Sequence, residues 1–148
     1  MIIIKRGNIL DSKEDLIINQ VHKNEAKLTK VAEDILYTYP ILNSTYKDYS
    51  KLAKVGDTLI IKVEDGRVIA NSFLGTKKRL FKKSVNYKDL EQSLVKIKQL
   101  GEKEKLDIAL PYRIGCGKSK GDWGKVMDII TRVFGDYNNN VVVYKGLV

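Results

Sequence analysis

The sequence predicts an α/β fold: a mixed central sheet with helices packed on both faces, three layers in the order α/β/α. Three observations predict it. Short apolar runs rich in valine and isoleucine alternate with longer stretches whose apolar residues recur at helical spacing. Two of the short runs flank Glu64-Asp65-Gly66, which reads as a hairpin turn and so as one antiparallel pair. The remaining runs are separated by helix-length segments, as crossover connections between parallel strands require.

In chain order, Ile2 to Lys5 reads as the first strand and Leu16 to Val21 as the second. Leu28 to Tyr39 then carries Leu28, Val31, Ala32, Ile35 and Leu36 on one helical face, with Pro40 as its stop. A second, short helix is predicted over Thr45 to Ala53. Thr58 to Val63 and Arg67 to Phe73 form the hairpin. Tyr87 to Glu102 sets Leu90, Leu94, Ile97 and Leu100 on one stripe, with Asn86 and Asp89 spaced like an N-terminal cap pair. Leu106 to Leu110 is the next strand, and Asp122 to Phe134 a helix with Val126, Ile129, Ile130 and Val133 inward and Gly135 at its end. Asn140 to Tyr144 is the last strand.

Length and composition bound the rest. The 148 residues suffice for one core and not for two ordinary domains, so residues 1–148 are read as a single domain. No apolar run approaches the ~20 residues of a membrane span, and the opening Met1-Ile2-Ile3-Ile4-Lys5-Arg6 lacks the basic leader of a signal peptide. The lone Cys116 excludes an intramolecular disulfide and a cysteine-based zinc site, which fits a reducing cytoplasm. No metal or cofactor is expected. The balance of 27 Lys and Arg against 18 Asp and Glu, net +9, draws the chain toward phosphorylated partners. Its densest cluster is Lys77, Lys78, Arg79, Lys82 and Lys83 around Phe81. That cluster suits nucleic-acid phosphates, but no RNA- or DNA-binding signature accompanies it, so nucleic acid is the lesser expectation.

The segment from Pro111 to Trp123 carries the leading functional clue, because it joins a strand to a helix through glycines. Glycine lets backbone N–H groups crowd against a ligand, and a helix N-terminus adds unpaired donors and partial positive charge. Gly115 and Gly117 are the backbone donors expected to face a phosphate, with Cys116 small between them and Lys118 and Ser119 supplying further donors.

Five segments together resemble a known family: Lys5-Arg6-Gly7-Asn8-Ile9-Leu10, Ile17-Ile18-Asn19-Gln20-Val21, Ala70-Asn71-Ser72-Phe73, Gly75-Thr76-Lys77-Lys78-Arg79 and Arg113-Ile114-Gly115-Cys116-Gly117. Over nearly the whole chain they look like a macro domain. The resemblance is to the compact branch that includes the terminal ADP-ribose glycohydrolases and bacterial and phage ADP-ribose-1''-phosphate phosphatases. It implies a cleft for ADP-ribose, or for an ADP-ribosylated substrate, at the carboxyl ends of the central strands.

The family's site residues transfer unevenly. Asn8 stands where the family has an acidic reader of the adenine amino group, and Ile9 occupies a backbone donor position. His22 stands at the position of a ribose-facing asparagine, and the stretch after it, 23–30, lacks the family's glycines. Lys77 matches the lysine that attacks the ribose anomeric carbon in the glycohydrolases; as a nucleophile it needs a depressed pKa, and Lys78 and Arg79 are neighbouring cations. Ser119 replaces an acidic residue used by some members for glycosidic cleavage. Asp122 is the nearby acid, read either as a catalytic group or as the N-cap of the last helix. Three readings stay open: an ADP-ribosyl hydrolase resting on Lys77 and Asp122, a non-catalytic nucleotide reader, and a basic adaptor for nucleic acid or protein.

Overall fold

The computed structural model describes residues 1–23, 28–76, 87–114 and 122–146. Six strands form one sheet in the order β1-β6-β5-β2-β4-β3. They are β1 (Ile2–Arg6), β2 (Leu16–Lys23), β3 (Thr58–Lys62), β4 (Val68–Thr76), β5 (Ile108–Pro111) and β6 (Val141–Lys145). Every pairing is parallel except β3 with β4. The hairpin between those two turns at Gly66, whose φ of 89° glycine adopts without penalty, and Asp65 Oδ1 accepts from Arg67 N at 2.9 Å to hold the bend.

Alternation along the strands divides the core into two layers. Ile17, Val21, Ile69, Phe73 and Ala109 face α1 (Lys30–Thr38) and α2 (Pro40–Tyr49). Leu16, Ile18, Ala70, Ile108, Leu110, Val141 and Val143 face α3 (Tyr87–Glu104) and α4 (Trp123–Phe134). Both faces of the central strands are covered, which is why those strands read as nearly unbroken apolar runs. The predicted three-layer α/β architecture with a mixed sheet is the one present.

Two local differences have physical reasons. Pro40 does stop α1, but it also opens α2, where its missing N–H costs nothing at the first helical position; α2 covers Pro40–Tyr49 instead of 45–53. A 3₁₀ turn at Ile9–Asp11, which apolar periodicity is too coarse to show, is capped by the Asn8 side chain accepting from Leu10 N at 3.0 Å. Of the expected cap pair before α3, Asn86 lies outside the described residues.

Some of the buried polar groups pair across elements. Ser93 on α3 lies with its Oγ 2.5 Å from Thr58 Oγ1 and 2.6 Å from Ser72 Oγ, all three buried, so one serine ties the helix to both strands of the hairpin. Lys98 to Asp136, at 2.6 Å, and Arg132 to Glu91 link α3 with α4 and its C-terminal end. They lie at the surface and contribute little.

Candidate functional site

Five parallel strands end on the same edge of the sheet, at Arg6, Lys23, Thr76, Pro111 and Lys145. Between the ends of β2 and β5 lies a cavity of about 320 Å³. Its walls are Asn19 and Gln20 of β2, residues 29–32 at the start of α1, and residues 111–114 after β5. Ligands of open α/β sheets bind in such a crevice outside the strand carboxyl ends.

The start of α1 is polar by construction. Thr29 caps it, its Oγ1 accepting from Ala32 N at 3.3 Å, and the first turn brings the helix's partial positive charge to the cavity wall. Lys30, the first helical residue, pairs with Asp34 at 2.5 Å; the hydrogen bond to that carboxylate raises its pKa and keeps it charged. Opposite, Ile114 N donates to Pro111 O at 3.1 Å, closing a β-turn with Arg113 at φ 63°. That left-handed conformation favours glycine, so an arginine there costs about 1 kcal/mol, and Arg113 is one of the residues that line the cavity.

Beside this turn, the Tyr112 and Trp123 rings lie 4.8 Å apart at 54°, and Lys145 Nζ sits 5.0 Å from the Tyr112 ring centroid. Trp123 is thus partly packed under the turn. Tyr144, on the neighbouring strand, donates to Glu14 Oε1 at 2.6 Å; burial, and then that carboxylate, push its pKa to about 12.

The sequence-predicted residues fall in three groups. Asn8 and Ile9 lie at the 3₁₀ turn beyond β1: Asn8 Oδ1 is engaged as its cap, the Ile9 side chain is buried in the α1/α2 layer, and the Ile9 carbonyl accepts from Ser12 N at 3.1 Å. His22, expected just past the second strand, lies within β2 one residue before its end and past a register shift, half-buried, with its carbonyl accepting from Tyr46 Oη at 3.0 Å. None of the three lines the cavity. Asp122 caps α4, its Oδ1 accepting from Gly124 N at 2.8 Å and Lys125 N at 3.4 Å. Lys77, Gly115, Cys116, Gly117, Lys118 and Ser119 lie outside the described residues.

Two cavity features escaped sequence reasoning. In the sequence Arg113 is one residue of a motif string, and its positive φ has no sequence marker. Asn19, fully buried, hydrogen-bonds Asn71 across the β2–β4 ladder, Nδ2 to Oδ1 at 3.1 Å. The available signal was an asparagine inside each of two apolar strand runs. Among the described residues, no group of three or more His, Cys, Asp or Glu is placed to hold a metal ion, and no helix is long and apolar enough to cross a membrane.

No protein-family model matches the sequence, and no curated protein matches it. Solved structures do match. The chain superposes on the macrodomain of Mycobacterium tuberculosis DarG with a TM-score of 0.84 at 18% identity, covering 97% of each chain. It matches the macrodomain of Thermus aquaticus DarG at 0.80 and 20% identity, again over 97% of each. Against Thermosipho africanus DarTG, solved in complex with ADP-ribose, the TM-score is 0.78 at 18% identity, over 98% of this chain and 42% of that one. At such identities the shared property is the three-dimensional arrangement, and the arrangement of this chain is the macrodomain fold.

Proposed function

We propose that the chain binds ADP-ribose, free or attached to another molecule, across the carboxyl edge of its parallel strands. The observation that carries this reading is the cavity itself: it lies at that edge in a macrodomain fold, between the N-terminus of α1 and the turn bearing Arg113. A helix N-terminus and an arginine on facing walls suit a diphosphate. Gly115 follows directly on that turn in sequence, and Gly117 two positions later. The ADP-ribose complex of a protein sharing the fold supports the same ligand class.

Hydrolysis is the finer proposal and rests on Lys77 as nucleophile, supported by the resemblance of the 75–79 segment. One observation favours a reader that binds without cleaving: the carboxylate of Asp122, the acid nearest in sequence to Ser119, is engaged in capping α4.

Calorimetric titration with ADP-ribose tests the binding reading. Saturable one-to-one binding is expected, weakened at least tenfold in Gly117→Val, because a side chain there obstructs close backbone approach and each hydrogen bond to a charged group contributes ~1.5–3 kcal/mol. Absence of binding, or binding indifferent to Gly117→Val, overturns it. Release of ADP-ribose from a glutamate-linked substrate by wild type and not by Lys77→Ala would establish the hydrolase. Release from neither would leave the reader.

A further inference from the structure

We propose that Lys30 changes partners when the ligand binds: its ammonium leaves the Asp34 carboxylate and pairs with a phosphate oxygen, so that Asp34 competes with the ligand and tunes its affinity. The proposal rests on the ADP-ribose reading above and deepens it. Lys30 is the first residue of α1 and one of those that line the cavity, whereas Asp34, one turn further along the helix, is not. The ammonium lies 2.5 Å from Asp34 Oδ1, and Glu33 adds a weaker attraction. The pair is at the surface, with the lysine side chain 83% exposed and the aspartate 40%.

Three features make this pair easy to exchange. A cation on the first turn sits at the positive end of the helix dipole, where an anion is favoured instead. The order is the weaker one for partners four residues apart, because the base precedes the acid. Helical side chains also leave the axis tilted toward the N-terminus, so a lysine that reaches forward to Asp34 runs against that tilt. Exposed pairs of this kind are held weakly, since water and salt screen both charges. The flexible stem that spans one turn forward, about 5–6 Å between Cβ atoms, reaches as far in the opposite direction, past the helix terminus and over the wall to which Thr29 and Lys30 belong. A diphosphate there meets the α1 dipole and the ammonium together. It carries more negative charge than the carboxylate it displaces, and it turns the misplaced cation into a favourable one.

Calorimetric titrations with ADP-ribose on the two single variants and the double variant form a cycle that isolates the competition. Lys30→Gln should weaken binding about fivefold at low salt, and its difference from wild type should shrink to about twofold or less near 0.5 M salt. Asp34→Asn should tighten binding by about twofold, in line with release of an exposed pair. In the Lys30→Gln background, Asp34→Asn should change nothing, because no ammonium remains to be freed. Melting temperatures establish that each variant is folded at the titration temperature. Unchanged affinity in either single variant overturns the proposal and spares the binding reading. So does a tightening by Asp34→Asn that persists in the double variant, since that is the effect of a removed negative charge and not of competition for Lys30. Failure of ADP-ribose to bind wild type overturns both.

Discussion

A Cβ on Gly101 would lie 2.0 Å from Tyr137 Oη. The position is buried near the C-terminal end of α3, and the tyrosine that fills its place is 4% exposed, wedged against the Phe134 ring at 5.6 Å and donating to Leu106 O at 2.6 Å. Tyr137 has no room to retreat, so the missing side chain of Gly101 is what lets α3 approach the segment after α4.

Gly101→Ala is therefore expected to destabilise the protein although alanine is the better helix former. Overpacking costs ~1–3 kcal/mol and the propensity gain returns up to ~1. Gln99→Ala, exposed on the same helix, should change stability by less than about 0.5 kcal/mol. Urea unfolding of both decides it, and a Gly101→Ala variant at least as stable as wild type would show that Tyr137 is not held where it stands.

Alkaline stability should fall between about pH 10 and 12. Burial raises the pKa of Tyr137, and of Tyr144, from 10.0 to about 12, so the folded state keeps protons that the unfolded chain releases. The sign follows: their contribution is complete below pH 10 and is lost as pH climbs toward 12. For Tyr137 a rise of that size corresponds to roughly 2–3 kcal/mol. Denaturation midpoints across that window should decline less steeply in Tyr137→Phe than in wild type, and parallel curves would refute the assignment.

Asp122→Ala should lower stability by about 1 kcal/mol through loss of the α4 cap, whereas Asp122→Asn, which preserves an accepting oxygen, should be nearly neutral. Any Lys77-dependent hydrolysis should proceed equally in Asp122→Asn. A drop in turnover of about 100-fold with stability intact would instead make Asp122 a general acid.

Arg113→Gly should move stability and affinity in opposite directions. Glycine accepts φ 63° without strain and stabilises the turn by up to about 1 kcal/mol, while loss of the guanidinium weakens ADP-ribose binding by roughly tenfold or more. Melting temperature and titration on one protein sample read both. Unchanged affinity would remove Arg113 from the phosphate wall.

The layered fold was legible because its signals are local and repeated. Leu90, Leu94 and Ile97 recur at helical spacing, and β6 opens as the unbroken apolar run Val141 to Val143 that burial on both faces demands. Punctuation was less legible. Proline was read at 40 as an ending, yet its ring is equally suited to a first helical position, and only the packing of Leu42 and Tyr46 into the α1/α2 layer decides that a helix begins there. Of the candidate site, the cap role of Asp122 was legible as one of two readings, whereas the apolar run ends the second strand at Val21 and β2 in fact continues to Lys23, taking His22 into the strand.

By itself, then, the order of residues determined which segments become strands and helices and where glycine, proline and charge are concentrated, because each of those depends on neighbours within a few positions. Only the tertiary structure decided that Asn19 meets Asn71, 52 positions away, that Tyr137 occupies the space Gly101 leaves, and that the start of α1 faces Arg113 across a cavity. Those relations follow from strand order and register, which pair β2 with β4 and β5 across long stretches of chain. No local periodicity encodes which strands become neighbours, since that is settled by which arrangement buries both apolar faces at once.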